Sequence, residues 1–487
     1  MKNVLKNFVY NAGYQILTIL LPLITTPYLA RIIGAYGIGQ YSYTYSIAYY
    51  FGLFIMLGLN NYGNRTIASV RDDKKRLSSV FWELYSMQFF TGIVITVIYV
   101  LYCVWAGGKI FLQWVMLIYV IAAIIDVNWF FWGMEKFKFT TIRDAIIKIL
   151  STLLIFTFVK NENDLVIYVF ISVFGILAGN VIMWPIIIKQ LGKPKIKIKD
   201  SFKHLVPNLV LFIPIIAVSL YKVMDKIMLG KLTTMEQVGY YEYSEKIIQV
   251  PLAIVNALSI VMLPRMSNLV ATNNSKNEKK YISLSIILVM FLTTSLCFGI
   301  MGIAKEFVPF FYGTGYEDCV NLFYILLPSC CFVGFASVIR TQYLIPHKED
   351  KTYIISVFSG AVVNLILNFV LIPKLHAVGA SIATLVSEIL VCSYQAFAVA
   401  KEIEIYQYMK NSICFFIAGI SMFYTLNKIY LPINNILERM LIKIIIGVIC
   451  YFIYFIICIQ FNSSEKKMLQ NMLRGSKKSK VHDKEEA

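Results

Sequence analysis

The sequence is poor in the residues from which soluble enzymes and metal centres are commonly built. Four histidines are spread over 487 residues, and the nine cysteines include no C-x-x-C pair. These spacings indicate neither a metal cluster nor a disulfide framework. Charged residues make up only 15% of the chain, which is low for a soluble domain.

Signatures of catalysis are missing as well. The sequence contains no GxxxxGK[ST] motif, so ATP is not expected to drive the activity of this chain, and it contains no HExxH or GxSxG motif. The segments on the predicted outer side of the membrane are too short to fold into a catalytic domain. We therefore expect a protein that is not an enzyme, carries no resident cofactor and acts within the membrane.

Long apolar runs are abundant. Hydrophobic residues make up 58% of the chain, and the mean hydropathy is +0.69. A membrane-spanning helix needs about 20 mostly apolar residues. The sequence therefore predicts an all-α integral membrane protein with about 14 transmembrane helices. The predicted spans are 8–29, 40–60, 80–105, 110–132, 143–159, 165–188, 206–229, 237–263, 281–304, 319–344, 352–373, 377–400, 411–430 and 439–460.

The basic residues predict the orientation of these spans. With the N-terminus in the cytoplasm, the inner segments collect roughly 33 of the 45 lysines and arginines, as the positive-inside rule requires. Topology thus explains the net charge of +18, and a nucleic-acid partner is not expected. The first apolar run continues as a full span, so it does not read as a cleavable signal. Both termini are predicted to be cytoplasmic, with the basic tail 462–487 in solvent or along the anionic inner leaflet.

Two stretches of the sequence match at an offset of 200 residues. GIGQYSYTYS at 37–46 aligns with QVGYYEYSEK at 237–246, so that Gly39, Tyr41 and Tyr43 fall on Gly239, Tyr241 and Tyr243. This match predicts a parallel internal repeat with a pseudo-two-fold axis. The predicted organisation is a six-helix lobe at 1–190, a basic linker at 191–204, a second six-helix lobe at 205–403, two additional helices at 404–461, and the tail.

The first span carries a polar stripe, and the second is rich in tyrosine and serine. In the first span the polar residues are three or four residues apart, which places them on one side of a helix. They could line a cavity or form hydrogen bonds between helices. In the second span the tyrosines could line a polar pore and contact sugars, or form an interfacial aromatic belt. The candidate cavity-lining residues are Asn7, Asn11, Gln15, Thr18, Tyr41, Tyr45 and Tyr49.

The seventh and eighth spans each carry a charged stripe. Positions 222, 225, 226 and 229 share one helical face, and so do positions 242, 245, 246 and 249. Since a charge facing lipid is costly, such stripes normally face a water-filled cavity or each other. In one interpretation the lysines bind an anionic substrate and the acidic residues balance them or carry coupling ions. In the other, these charges extend from the outer helix ends to the lipid headgroups. The residues concerned are Lys222, Asp225, Lys226, Glu242, Glu245, Lys246 and Gln249.

Four charges elsewhere are further candidates. Arg31 follows the first span, and Arg340 lies near the inner end of the tenth. Asp126 lies in the inner third of the fourth span. Glu388 lies near the middle of the twelfth, where it is a candidate proton carrier or one half of a buried pair.

Three segments, in chain order, carry a resemblance to a known family. They are LLPLITTPYLARIIGAYGIGQYS at 20–42, GMEKFKFTTIRDAIIKIL at 133–150 and VVNLILNFVLIPKLHAVGASIATLVSEILV at 362–391. Together they resemble bacterial oligosaccharide flippases of the Wzx type, in the multidrug/oligosaccharidyl-lipid/polysaccharide exporter superfamily.

The resemblance implies two six-helix lobes around a central cavity, with walls largely from spans one, two, seven and eight. It also implies a substrate, an undecaprenyl-diphosphate-linked oligosaccharide repeat unit. Such flippases move this lipid from the cytoplasmic to the outer leaflet of the bacterial inner membrane, for O-antigen or capsule assembly. A polysaccharide polymerase and a chain-length regulator are implied partners.

With this substrate in mind, we hypothesise roles for the charged candidates. The diphosphate would be held by the basic candidates, Lys222, Lys226, Lys246, Arg31 and Arg340. Coupling to H⁺ or Na⁺ would involve the acidic candidates, Asp225, Glu245, Glu388 and Asp126.

Two other functions deserve comparison with this one. A cation-coupled multidrug exporter would have the same fold, but lysines near the cavity argue against cationic cargo. A membrane-bound polysaccharide polymerase or ligase would need a large outer loop with catalytic side chains, and the predicted outer loops are too short.

Overall fold

The computed structural model describes residues 17–18, 20–106, 111–192 and 198–461, with the side chains at 198–199 and 458–461 excluded. Asn7, Asn11 and Gln15, which the sequence places in the first polar stripe, lie outside the described residues, as does the tail. The described part of the chain is built from helices joined by short loops and contains no strand.

The helices are numbered α1 to α17 in chain order. Their bounds are α1 Leu20–Ile32, α2 Gly34–Met56, α3 Leu59–Val70, α4 Lys74–Trp105, α5 Phe111–Ile124, α6 Asn128–Gly133, α7 Phe137–Phe158, α8 Leu165–Leu191, α9 Ile198–Ser201, α10 Leu205–Leu232, α11 Met235–Ala271, α12 Ser275–Phe311, α13 Asp318–Leu326, α14 Ser329–Ile339, α15 Asp350–Val399, α16 Ile405–Lys428 and α17 Ile436–Phe461.

Ten helical segments in the described residues are long and apolar enough to cross a membrane, judged by length and composition. The predicted all-α integral membrane fold is confirmed. One of these segments, α15, holds two predicted spans, because the backbone at His376 leaves the helical region with φ 51° and ψ −130°. With α1, α2 and α7 included, the helices are compatible with fourteen crossings.

Polar caps mark where several helices begin. The Asp73 carboxylate accepts hydrogen bonds from the backbone N–H groups of Lys75 and Arg76, at 2.9 and 3.1 Å, and so satisfies the first turn of α4. A capping box between Asn161 and Asp164 precedes α8.

The predicted limits are close for α8 and α10, with 165–188 against Leu165–Leu191 and 206–229 against Leu205–Leu232. They are too short for α11 and α12, because Met235–Ala271 and Ser275–Phe311 extend up to eight residues beyond the predicted 237–263 and 281–304.

The last residues of the predicted linker are fixed to α4. The Lys203 Nζ and His204 Nε2 atoms lie 2.8 and 3.3 Å from the Glu83 Oε2 atom, and the Tyr62 hydroxyl lies 2.9 Å from His204 Nδ1. Glu83 is buried, so pairing with these groups offsets its desolvation. These contacts lie immediately before Leu205, the first residue of α10.

By their internal packing the residues form two compact units. Of the described residues, those within 1–246 and 361–383 form unit 1, and those within 247–360 and 384–461 form unit 2. The core of unit 1 is aromatic and includes Phe81, Trp129 and Phe130 from α4 and α6. The core of unit 2 includes Ile286 and Phe415 from α12 and α16. This division has different boundaries from the predicted lobes at 1–190 and 205–403, which stay a prediction.

Candidate functional site

The candidate site lies in unit 1, where the first turns of α2 and α11 cross. A Cβ atom on Gly39 would lie 1.7 Å from the Met235 carbonyl oxygen, and one on Gly239 would lie 2.0 Å from the Ala35 carbonyl oxygen. Residues 35 and 39 correspond to 235 and 239 in the repeat. The contact is therefore reciprocal, as in an isologous two-fold interface. Only glycine allows two helix backbones to approach so closely.

One turn further along, the same repeat joins Ser42 to Glu242. The buried Ser42 hydroxyl donates a hydrogen bond of 2.8 Å to the Glu242 Oε2 atom. These two positions also correspond at the offset of 200 residues. The repeat thus pairs a neutral donor on α2 with a carboxylate on α11.

Glu242 belongs to a cluster of four charged side chains. The Lys226 Nζ atom on α10 lies 2.7 Å from both Glu242 Oε2 and Glu245 Oε2. The Lys246 Nζ atom lies 3.6 Å from Glu242 Oε1. Because Glu242 and Glu245 are three residues apart on α11, both carboxylates face the same ammonium group. The cluster holds two positive and two negative charges and is internally balanced.

Asp225 forms a separate buried network next to this cluster. Its carboxylate accepts hydrogen bonds from the Tyr241 hydroxyl at 2.8 Å and from the Asn368 Nδ2 atom at 2.6 Å. Asn368 Nδ2 also donates to Asn364 Oδ1 at 3.0 Å. The Asn368 Oδ1 atom is buried without a hydrogen-bond partner. The Asp225 carboxylate on α10 and the amide oxygens of Asn364 and Asn368 on α15 form a set of oxygen ligands suited to a proton or to a hard monovalent cation.

A group of tyrosines from α2, α5 and α8 packs together in the same unit. The Tyr41 and Tyr45 rings stack at 5.8 Å, and the Tyr45 ring meets Tyr119 edge-on at 5.2 Å. Tyr41 meets Tyr168 edge-on at 5.0 Å, and Tyr49 lies 6.3 Å from Tyr45. The rings form one continuous aromatic surface bearing several hydroxyl groups. Part of it is exposed, because Tyr41, Tyr45, Tyr49 and Tyr119 are only half-buried.

The structure thus brings together a subset of the sequence candidates. Lys226, Glu242, Glu245 and Lys246 form the cluster, with Asp225 alongside. Lys222 is exposed on the preceding turn of α10, and Arg31 is exposed at the end of α1. Thr18 is half-buried in the first described residues.

Other candidates lie elsewhere. The Asp126 carboxylate accepts from the Asn128 backbone N–H at 2.9 Å and so supports the turn before α6. Three candidates lie in unit 2: Arg340, Glu388 and Gln249. Arg340 donates to Ser337 Oγ at 3.1 Å, and its guanidinium lies 5.7 Å from the Tyr353 ring centre.

Sequence reasoning missed several members of the site. Asn364 and Asn368 lie one turn apart in an apolar span, and that spacing was the available signal. Ser42 had a signal too, since it occupies the position of Glu242 in the repeat. No group of three or more His, Cys, Asp or Glu side chains that could hold a metal ion occurs among the described residues.

The arrangement of helices is shared with transporters of known structure. The lipid II flippase MurJ, in its inward closed conformation, matches with a TM-score of 0.63 and 18% identity, over 92% of this chain and 98% of that chain. The chain shares the fold of that protein, and its apolar helices define a polytopic membrane protein.

Sequence comparison identifies the family. Residues 4–270 match the family described as polysaccharide biosynthesis protein, which is more than half of the chain, so the chain belongs to this family. A protein named "Putative O-antigen transporter" from Escherichia coli strain K12 is 26% identical over 406 residues, covering 80% of this chain and 94% of that protein. A protein of the same name from Shigella dysenteriae is 22% identical over 403 residues, covering 82% and 99%. The predicted family resemblance is confirmed. These names also agree with the prediction that the chain is not an enzyme.

Proposed function

We propose that this protein moves undecaprenyl-diphosphate-linked oligosaccharide repeat units from the cytoplasmic to the outer leaflet of the bacterial inner membrane. The product would serve O-antigen or capsule assembly, with a polysaccharide polymerase and a chain-length regulator acting on it afterwards. The observation that carries the proposal is the charged cluster around Lys226 inside membrane-spanning helices. Relatives named as O-antigen transporters support the same function.

The cluster suits the chemistry of this substrate. A diphosphate and several sugars cannot cross hydrocarbon unaided, because burying unpaired charge and unsatisfied hydroxyls is costly. Lys226 and Lys246 would bind the diphosphate through charge-assisted hydrogen bonds, with Lys222 and Arg31 as further cations. The polyprenyl chain would stay in the bilayer. Arg340, in unit 2, is an additional candidate for a later step.

The tyrosine group would contact the glycan. Tyr41, Tyr45, Tyr49 and Tyr119 offer ring faces to the apolar side of a sugar and hydroxyls to its polar edge. Such contacts do not require a particular sugar sequence, because every pyranose ring has both surfaces. Glu242 would line the path beside these rings.

Asp225 is the proposed coupling residue. It is 1% exposed and bonded by Tyr241 and Asn368, so taking up H⁺ or Na⁺ would change the charge of a buried site. The membrane potential supplies about 2.3 kcal/mol per charge per 100 mV, enough to bias a transport cycle. Glu245, Glu388 and Asp126 remain candidates for the same role.

A deletion experiment tests the proposed function. Loss of the gene should cause the lipid-linked repeat unit to accumulate in the cytoplasmic leaflet and should deplete surface polysaccharide. Plasmid-borne wild-type protein should restore both. Normal surface polysaccharide in a strain without a second flippase would refute the proposal.

Reconstitution tests the coupling. In proteoliposomes, an imposed Na⁺ or pH gradient should accelerate flipping of the lipid-linked oligosaccharide by the wild-type protein. Asp225→Asn should remove that acceleration while flipping without a gradient continues. If Asp225→Asn still responds to both gradients, Asp225 is not the coupling residue.

A further inference from the structure

The crossing of α2 and α11 is held by more than van der Waals contact. The reciprocal glycine approach brings the two backbones together, and the Ser42 hydroxyl then bonds to Glu242 across the crossing. By the predicted orientation, the first turns of both helices lie at the outer side of the membrane. A glycan released to the outer side of the membrane must therefore pass the α2–α11 crossing.

The Glu242 carboxylate has three polar partners. Its Oε2 atom accepts from Ser42 at 2.8 Å and lies 2.7 Å from Lys226 Nζ, and its Oε1 atom faces Lys246. Glu245 shares Lys226 at 2.7 Å. The two glutamates therefore occupy the lysines that the proposed function assigns to the diphosphate.

A diphosphate carries more charge than a carboxylate and offers more acceptor oxygens to the same ammonium groups. Once the diphosphate binds Lys226 and Lys246, Glu242 loses its counter-charges while its side chain, 13% exposed, stays near the crossing. A carboxylate without a counter-charge is unfavourable there. Separation of α2 and α11 would let water hydrate Glu242 and would therefore lower the free energy of the site.

We propose that Ser42 and Glu242 form a latch on the α2–α11 crossing, which an anionic diphosphate bound to Lys226 and Lys246 releases. Glu242 and Glu245 act as internal stand-ins for the substrate anion, and Ser42 is the positioning residue that fixes Glu242 in the closed arrangement. This inference rests on the proposed function for the identity of the anion. It adds the contact through which substrate binding opens the exit.

The experiment follows the chemical accessibility of a cysteine beneath the latch. Ser46 is 2% exposed and lies one helical turn from Ser42 on α2. Full-length Ser46→Cys protein in proteoliposomes is treated with a membrane-impermeant maleimide, and protein without the substitution reports the background. Alkylation of the Ser46→Cys protein should be slow in bilayers without the substrate. Undecaprenyl-diphosphate-linked oligosaccharide in the bilayer should raise its rate roughly tenfold, which is the effect expected when a hydrogen bond to a charged group is lost.

Matched variants separate a latch from a merely structural contact. Added to Ser46→Cys, Ser42→Ala should give fast alkylation without lipid, whereas Ser42→Thr, which keeps a hydroxyl, should stay slow. Glu245→Gln leaves the Ser42–Glu242 bond in place. Alkylation of this variant should stay slow without the lipid-linked oligosaccharide. It should accelerate at a lower concentration of that lipid than in the parent protein, because one competing carboxylate has been removed.

The outcomes distinguish this inference from the proposed function. Equal alkylation of the Ser42→Ala protein and its parent without lipid would overturn the latch. If the parent protein flips the lipid but the lipid does not change its rate of alkylation, then diphosphate binding does not release the latch. If the parent protein does not flip the lipid at all, the proposed function is refuted. The latch is tested independently of this, because the Ser42→Ala comparison is made in bilayers without the substrate.

Discussion

At the residue scale, one lysine is distinguished from its neighbours by what it contacts. The sequence treats Lys222 and Lys226 alike, since both lie on the same face of α10. In the structure Lys226 bridges two carboxylates, and its side chain is 15% exposed, whereas Lys222 is exposed. Of these two α10 lysines, Lys226 is the one that forms ion pairs with the α11 carboxylates.

Replacing Lys226 should reveal this difference. Lys226→Met leaves Glu242 and Glu245 close together with only Lys246 nearby, so we expect a loss of about 3 kcal/mol in the free energy of unfolding and loss of export. The control, Lys222→Met, should change stability by less than about 0.5 kcal/mol. Unfolding in detergent and surface polysaccharide are the measurements. Unchanged values for Lys226→Met would show that its ion pairs are unimportant.

At the element scale, small residues and a buried ion pair decide which helices pack. The glycines at the α2–α11 crossing remove side chains from the contact. In unit 2 the Lys443 Nζ atom on α17 lies 2.7 Å from the Glu306 Oε1 atom on α12, and both side chains are under 10% exposed. The two devices differ in kind, since one depends on shape and the other on charge.

The glycine crossing gives a prediction about shape. Gly39→Ala would place a methyl group within overlap distance of the Met235 carbonyl, so the free energy of unfolding should fall by about 2 kcal/mol and export should fall with it. At the control position Gly299, the nearest atom to an added Cβ is Met422 Cε at 3.7 Å. Gly299→Ala should be neutral or slightly stabilising. Equal behaviour of the two variants in thermal unfolding would contradict the close approach.

The buried ion pair gives a prediction about charge. Lys443→Ala or Glu306→Ala alone should lower the free energy of unfolding by about 3 kcal/mol, because each leaves one buried charge unpaired. The double variant should lose less than the sum of the two single losses. Lys305→Ala, next to Glu306 but exposed, is the control. Additive losses in thermal unfolding would mean that the two side chains do not interact.

At the scale of the whole molecule, the distribution of lysine and arginine predicts the orientation. Inner and outer loops alternate because each predicted span crosses once, and the predicted inner loops collect the basic residues. The structure fixes where the loops are: 71–73 lies between α3 and α4, and Glu162–Asp164 lies before α8. The side of the membrane that each loop faces stays a prediction.

Labelling in intact cells measures that orientation. Glu162→Cys should react with an impermeant maleimide from outside, whereas Asp72→Cys should react only after the membrane is permeabilised; both positions are exposed. The native cysteines that the structure describes are buried or half-buried, and unsubstituted protein reports their background. Labelling of Asp72→Cys in intact cells would reverse the predicted topology.

Much of this protein is determined by its sequence alone. In lipid every backbone polar group must be satisfied within the segment, so a sufficiently apolar run folds as a helix whatever its neighbours are. The helices and the break at His376 therefore follow from local composition. The repeat was visible for the same reason, since matching local motifs such as those at Gly39 and Gly239 need no tertiary information.

The tertiary structure alone decided which side chains meet. Glu242 is 200 residues from Ser42, and Asp225 is 143 residues from Asn368. Periodicity gives the face of a helix on which a charge lies, but the partner depends on which helix packs there and at what height. Hence the stripe on α10 was predicted, whereas its division into a bridging Lys226, a networked Asp225 and an exposed Lys222 required the packed helices.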